Sequence, residues 1–253
     1  MDRRTFLKSG IVVAGAVAVC GSERASEPQP KASGFGGYSY RLPAFKRGSR
    51  LVFQGDSITD MNWGRNEKDR NHYLGHSYVF LLAARLGVDM PGAKLDFYNR
   101  GMSGHTAGDL RNRWQKDAID MKPDLLSILI GTNDVGRGVK PGAFETDYRY
   151  ILDTSRKANP DLRLVLLDPF VLPTGKLADK AAWESRRPAT DNLCLIVERL
   201  AKDCGAAHVR TQTVFDAAAK EFSPEHWMWD GVHPLPQGHE LIARKWLETV
   251  GER

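Results

Sequence analysis

Residues 50–59 read Arg-Leu-Val-Phe-Gln-Gly-Asp-Ser-Ile-Thr, a short apolar run, Leu51–Phe53, that stops in small and hydrogen-bonding residues. Such a run, too short for a helix and bounded by turn formers, predicts a strand buried on both faces. The motif recurs downstream, where Lys94–Tyr98, Leu125–Ile130, Leu162–Leu167 and Ala206–Val209 predict four further strands. Between them, Ser77–Leu86, Ala107–Met121, Ala143–Lys157, Asp191–Cys204 and Gln237–Val250 carry apolar residues at helical intervals. Pro141 and Pro236 stand where a helix can begin. Strands alternating with helices predict an α/β fold, a single doubly wound domain with a parallel sheet covered on both faces. Pro169–Pro188 and Asp60–Gly75 lack periodicity and are long enough to be loops over a site.

In 253 residues, 42% are hydrophobic and 26% charged, so disordered, fibrous and disulfide-framework classes are excluded. The net charge is +5, of which Arg3, Arg4 and Lys8 against Asp2 supply +2. The remaining +3, with no basic stripe carrying interleaved aromatics, argues against a nucleic-acid partner. Cys194 and Cys204 lie ten positions apart on one predicted helix, about 15 Å of rise, so they cannot bridge and are read as packing residues.

The N-terminus reads as an address. A basic stretch, Arg3 to Lys8, precedes an apolar run from Ile11 to Val19 that is too short to span a bilayer. Arg3-Arg4-x-Phe6-Leu7-Lys8 resembles a bacterial twin-arginine export signal. Ala16-Val17-Ala18 fits a peptidase site, and Val17-Ala18-Val19-Cys20 a degenerate lipoprotein site that would lipidate Cys20 and attach the chain to a membrane. The expected organisation is thus a signal over residues 1–20, a flexible Ser-, Gly- and Pro-rich linker over 21–38, and the domain over 39–253.

In open parallel sheets, ligands bind outside the carboxyl ends of the strands. Three predicted strands run there into Gly55-Asp56-Ser57, Asn99-Arg100-Gly101 and Gly131-Thr132-Asn133-Asp134. Before the last helix, Asp230 and His233 stand three apart, so that the carboxylate can hold imidazole Nδ1 while Nε2 faces outward as a base. Singly, Ser57 reads as a helix cap, and Gly101 and Asn133 as turn residues.

Together and in this order, Gly55-Asp56-Ser57, Gly101, Gly131-Thr132-Asn133-Asp134 and Asp230-x-x-His233 resemble the blocks of the SGNH or GDSL-type serine hydrolases. The resemblance covers roughly Arg50 to Val250. It implies a flavodoxin-like five-stranded sheet in the order 2-1-3-4-5, with helices on both faces. It also implies Ser57 as nucleophile, His233 as its base and Asp230 as the group orienting the imidazole. The backbone N–H groups of Ser57 and Gly101 and the Asn133 amide would form the oxyanion hole. Asp56 and Asp134 are assigned to holding loops, and the chemistry needs no cofactor and no metal. His72 and His76 lack the intervening Glu of a zinc helix, and His105 beside Ser103 lacks an acid to orient it.

These roles predict hydrolysis of short-chain acyl esters through an acyl-Ser57 intermediate. Export lowers the case for acyl-CoA, and the charged 169–188 stretch offers no apolar lid, so an acetyl ester on a small saccharide or polysaccharide is the expected substrate. Trp227, Trp229 and Arg65 are candidate substrate contacts, with core packing open for the tryptophans and simple solvation open for Arg65 and Arg186. A lysophospholipase or general arylesterase, a peptidoglycan or capsule modifier, and a non-catalytic glycan-binding protein are the alternatives.

Overall fold

A computed structural model describes residues 36–251. The expected signal, Cys20 and nearly all of the expected linker lie outside the described residues.

Five strands, β1 (Arg50–Gly55), β2 (Asp96–Asn99), β3 (Leu125–Leu129), β4 (Arg163–Leu167) and β5 (Ala207–Val209), form one parallel sheet in the order β2-β1-β3-β4-β5. The order expected from the resemblance is the order found. The central strands β1, β3 and β4 are buried on both sides, and the pleat sends alternate residues to opposite cores. Leu51, Phe53, Leu125, Leu129, Val165 and Leu167 face one layer. Helices α2 (Tyr78–Asp89), α7 (Thr211–Glu221) and α9 (Pro236–Gly251) close that layer through Leu82, Phe215 and Trp246. Val52, Leu126, Ile128, Leu164 and Leu166 face the other, closed by α3 (Ala107–Trp114), α5 (Pro141–Ala158) and α6 (Lys180–Asp203) through Trp114, Tyr148 and Val197.

Two short helices sit at strand ends, α1 (Ser57–Asp60) after β1 and α4 (Thr132–Gly136) after β3, and a third, α8 (Pro224–Trp227), precedes the last loop. The expected elements are recovered with shifts of a few residues, except in two places. Helix α6 begins at Lys180, so much of the expected 169–188 loop is helical. Asp179 caps it by accepting from the Ala182 N–H, and Pro188 sits on an exposed turn near its start. Helix α7 escaped the periodicity reading, although Thr211, Phe215 and Ala218 bury one face of it. The stretch after Asp60 is irregular up to the Ser77 cap, as expected.

Within the first core layer, the Trp246 indole N–H donates to the Ser127 hydroxyl at 3.0 Å, both groups being fully buried. Ser127→Ala strands that donor in an apolar layer, and the expected cost is about 1–3 kcal/mol by urea unfolding.

Candidate active site

Strand β1 ends in Gly55, and Asp56 turns the chain into α1 by accepting from the Ile58 N–H at 3.0 Å. That cap sets Ser57 at the first position of α1, where its own N–H has no partner among the described residues. The Ser57 hydroxyl lies 2.8 Å from His233 Nε2, and His233 Nδ1 lies 2.8 Å from Asp230 Oδ2. Residues 176 positions apart in sequence are thereby in hydrogen-bond contact.

The loop 228–234 makes this possible because it is tied back on itself. The Trp229 N–H donates to the His233 carbonyl, the Leu235 N–H to the Trp227 carbonyl, and the His233 N–H to Asp230 Oδ1. Burial works to raise the Asp230 pKa, but hydrogen bonds from the His233 ring and from the His233 and Val232 amides outweigh it and hold the carboxyl below its usual value. Asp230 is therefore held as an anion against His233 Nδ1, and Nε2 is the ring nitrogen that faces Ser57.

The N–H groups expected to serve an oxyanion differ in whether the protein already engages them. Gly101 is buried, and its N–H donates to Asn99 Oδ1 at 2.9 Å, while its carbonyl accepts from the Trp63 indole at 2.8 Å. A Cβ at Gly101 would stand 2.3 Å from the Asp60 nitrogen, so this glycine serves the close packing of two loops. The Gly101 N–H is thus committed to Asn99. Farther along the same loop, Gly104 has φ +82° and an N–H without a partner among the described residues. Its carbonyl is held by Arg137 at 2.6 Å, and the Asn133 amide donates to the adjoining His105 carbonyl at 3.0 Å with one of its two hydrogens. Gly104 and the Asn133 amide thus each keep a donor hydrogen that no described residue accepts.

Asp60 holds that loop in place and escaped the sequence reading. Its Oδ2 accepts from the Ser103 N–H at 3.0 Å, the Ser103 hydroxyl at 2.8 Å and the Arg65 guanidinium at 2.7 Å. Burial acts to raise its pKa, and the Arg65 and Ser103 hydrogen bonds override it to keep Asp60 charged. Arg65, expected as a substrate contact, is instead engaged by Asp60, with its guanidinium carbon 4.4 Å from the Trp63 ring centroid.

The other expected residues separate by burial. Trp227 is buried in the α7–α9 layer and donates its indole N–H to the Ala218 and Phe222 carbonyls, which removes it from any substrate surface. Trp229 is 72% exposed beside His233. Asp134 accepts from the Ala107 N–H at the start of α3. Arg186 lies on α6, where it donates to the Thr132 carbonyl. His72 pairs with Asp69, and His105 Nδ1 accepts from Arg113.

The GDSL-like Lipase/Acylhydrolase family profile matches residues 53–241. An acetylxylan esterase of Geobacillus stearothermophilus is 33% identical over 208 residues, 81% of this chain and 94% of that enzyme. The solved structure of the acetylxylan esterase Axe2 from the same organism superposes with a TM-score of 0.71 at 30% identity, covering 82% of this chain and 96% of that one. A Bacillus subtilis lipoprotein, YqeF, is 34% identical over 133 residues, 50% of this chain and 51% of its own.

Two outcomes follow from the buried carboxylates. Asp60→Asn weakens the hold on Ser103 and is expected to lower kcat on a model ester about 10- to 100-fold with little change in KM, measured by steady-state kinetics. Asp56 is 1% exposed, and burial pushes its carboxyl from 3.8 up to about 7. The folded state then binds more protons than the unfolded chain between those values, so stability falls as pH rises through that window. Asp56→Asn keeps an acceptor for the Ile58 N–H and removes the charge. In urea titrations the variant is expected to gain on the wild type as pH climbs from 4 to 8.

Proposed function

The chain belongs to the GDSL-like lipase/acylhydrolase family and is a carboxylic ester hydrolase, and from that premise we propose that it removes acetyl groups from carbohydrate through an acyl-Ser57 intermediate. The observation that carries the proposal is the continuous line Ser57 Oγ, His233 Nε2, His233 Nδ1, Asp230 Oδ2, with both hydrogen bonds at 2.8 Å.

As Ser57 Oγ attacks the ester carbonyl carbon, its proton passes to His233 Nε2. Asp230 stabilises the imidazolium so formed. The carbonyl oxygen becomes an oxyanion facing the N–H groups of Ser57 and Gly104 and the free hydrogen of the Asn133 amide, donors worth about 3–4 kcal/mol each in comparable sites. When the carbon–oxygen bond to the alcohol breaks, His233 returns the proton to the leaving oxygen. Water then gives a proton to His233 and attacks the acyl-Ser57, and collapse of the second tetrahedral intermediate frees the acid and restores the Ser57 hydroxyl.

An acetylated glycan is favoured by the likeness to an acetylxylan esterase over most of both chains. The segment flanking the 228–234 loop is charged and carries Lys176, Asp179, Lys180 and Glu184, which offers no cover for a long acyl chain. The Arg3-Arg4 stretch with the following apolar run supports an enzyme working outside the cytoplasm, and the likeness to a lipoprotein keeps lipidation of Cys20 as part of the proposal.

Acetate released from acetylated xylan and acetylated pectin tests the reading. Release from at least one polymer is expected, falling about 10⁴-fold or more in Ser57→Ala. Turnover surviving in that variant overturns the nucleophile, and a preference for octanoyl over acetyl esters overturns the acyl group.

A further inference from the structure

Beside His233 lies a cavity of about 390 Å³ walled by Met61, His76, Trp229, His233, His239 and the segment 234–236. Its size falls within the range of about 300–1,000 Å³ usual for small-ligand sites. It touches the acid–base residue but neither Gly104 nor Asn133. The side of the ester it can serve follows from the proton path. Nε2 of His233 must hand its proton to the leaving oxygen, so the alcohol half extends along the imidazole, away from the oxyanion donors.

The walls are apolar apart from the imidazoles, and one of these is in an unusual state. His239 is 1% exposed, and burial, reinforced by His76 and His233, pushes its pKa down to about 3, which makes it neutral. Its Nδ1 accepts from the Tyr78 N–H at 3.3 Å. A neutral imidazole that accepts at Nδ1 carries its proton on Nε2. That Nε2–H is buried and has no hydrogen-bond partner among the described residues. A buried donor left unpaired costs about 1–3 kcal/mol, and a ligand that shifts the lining enough to bring an oxygen onto this nitrogen removes that cost, whereas an alkyl chain does not. At the mouth, Trp229 offers a ring that is 72% exposed, and an apolar face beside a hydrogen-bond donor suits a sugar ring, which has both C–H faces and oxygen edges.

We propose that this cavity is the subsite for the alcohol half of the substrate, a saccharide ring whose face lies on Trp229 and whose hydroxyl or ring oxygen accepts from His239 Nε2–H. The proposal rests on the reading of the enzyme as a carbohydrate acetylesterase. It makes His239 a specificity-determining residue that takes no part in the bond changes.

The test compares three esters: an acetylated xylo-oligosaccharide, methyl acetate, whose alcohol is too small to fill the cavity, and methyl hexanoate, which lengthens only the acyl group. For Trp229→Ala and His239→Leu, kcat/KM on the saccharide is expected to fall about tenfold or more relative to methyl acetate, mainly through KM. His239→Gln, which keeps a donor, is expected to recover part of the loss. Trp229 is exposed, so its variant keeps the test informative if His239→Leu fails to fold. Equal losses on the saccharide and methyl acetate in Trp229→Ala overturn the subsite and leave the proposed function standing. A loss confined to methyl hexanoate overturns it in favour of an acyl pocket. A wild-type enzyme that hydrolyses methyl acetate but no acetylated saccharide overturns the proposed function and the subsite together.

Discussion

Four backbone groups from three segments converge on one buried side chain, Asn99, at the end of β2. Its amide nitrogen donates to the carbonyls of Thr59 and Leu74 at 2.7 and 2.8 Å and lies 3.3 Å from that of Asp60, while its carbonyl oxygen accepts from the Gly101 N–H. These are the helix bearing Ser57, the long loop after it, and the loop that goes on to Gly104. Buried polar backbone must be paired, and here a single amide pairs it for two strand ends at once. The position of the nucleophile relative to the Gly104 donor follows from that web.

Around this knot, burial and charge divide the carboxylates by task. Asp230 is half-exposed and kept anionic by the groups donating to it, which suits an orienter of an imidazole that becomes cationic during turnover. Asp60 is kept anionic by Arg65 and Ser103 and braces the oxyanion loop. Asp56 and Asp134 are buried with backbone N–H donors alone, and burial raises them to about 7 and about 6. Those two hold the turns at the ends of β1 and β3 through the Ile58 and Ala107 N–H groups. The same burial leaves His239 neutral, with a donor unused by the protein.

Much of the fold was legible because it depends on local pattern. Strands buried on both faces have to be apolar runs, and helices covering them have to carry apolar stripes, so five of the six major helices, α6 only in its second half, and all five strands were visible from periodicity. Helix α7 was obscured by its brevity and its threonines, and the start of α6 by its charged first turns and Pro188. Ser57, His233 and Asp230, which the fold joins in one hydrogen-bonded line, stood out in the sequence. The supports of the site did not, since a lone Asp60 or Asn99 looks like any polar loop residue.

The sequence by itself determined the alternation of strands and helices, the order of the motifs and the side chains able to do acyl chemistry, because these rest on residue type and spacing along one chain. The tertiary structure decided which of two glycines offers a free N–H, which of two tryptophans faces solvent, and that Arg65 serves Asp60. None of those contacts follows a strand or helix period, although they span only two to nine residues of chain. Whether a donor is spent or free, and whether a ring is covered or bare, is set by neighbours that only folding brings within about 3–4 Å.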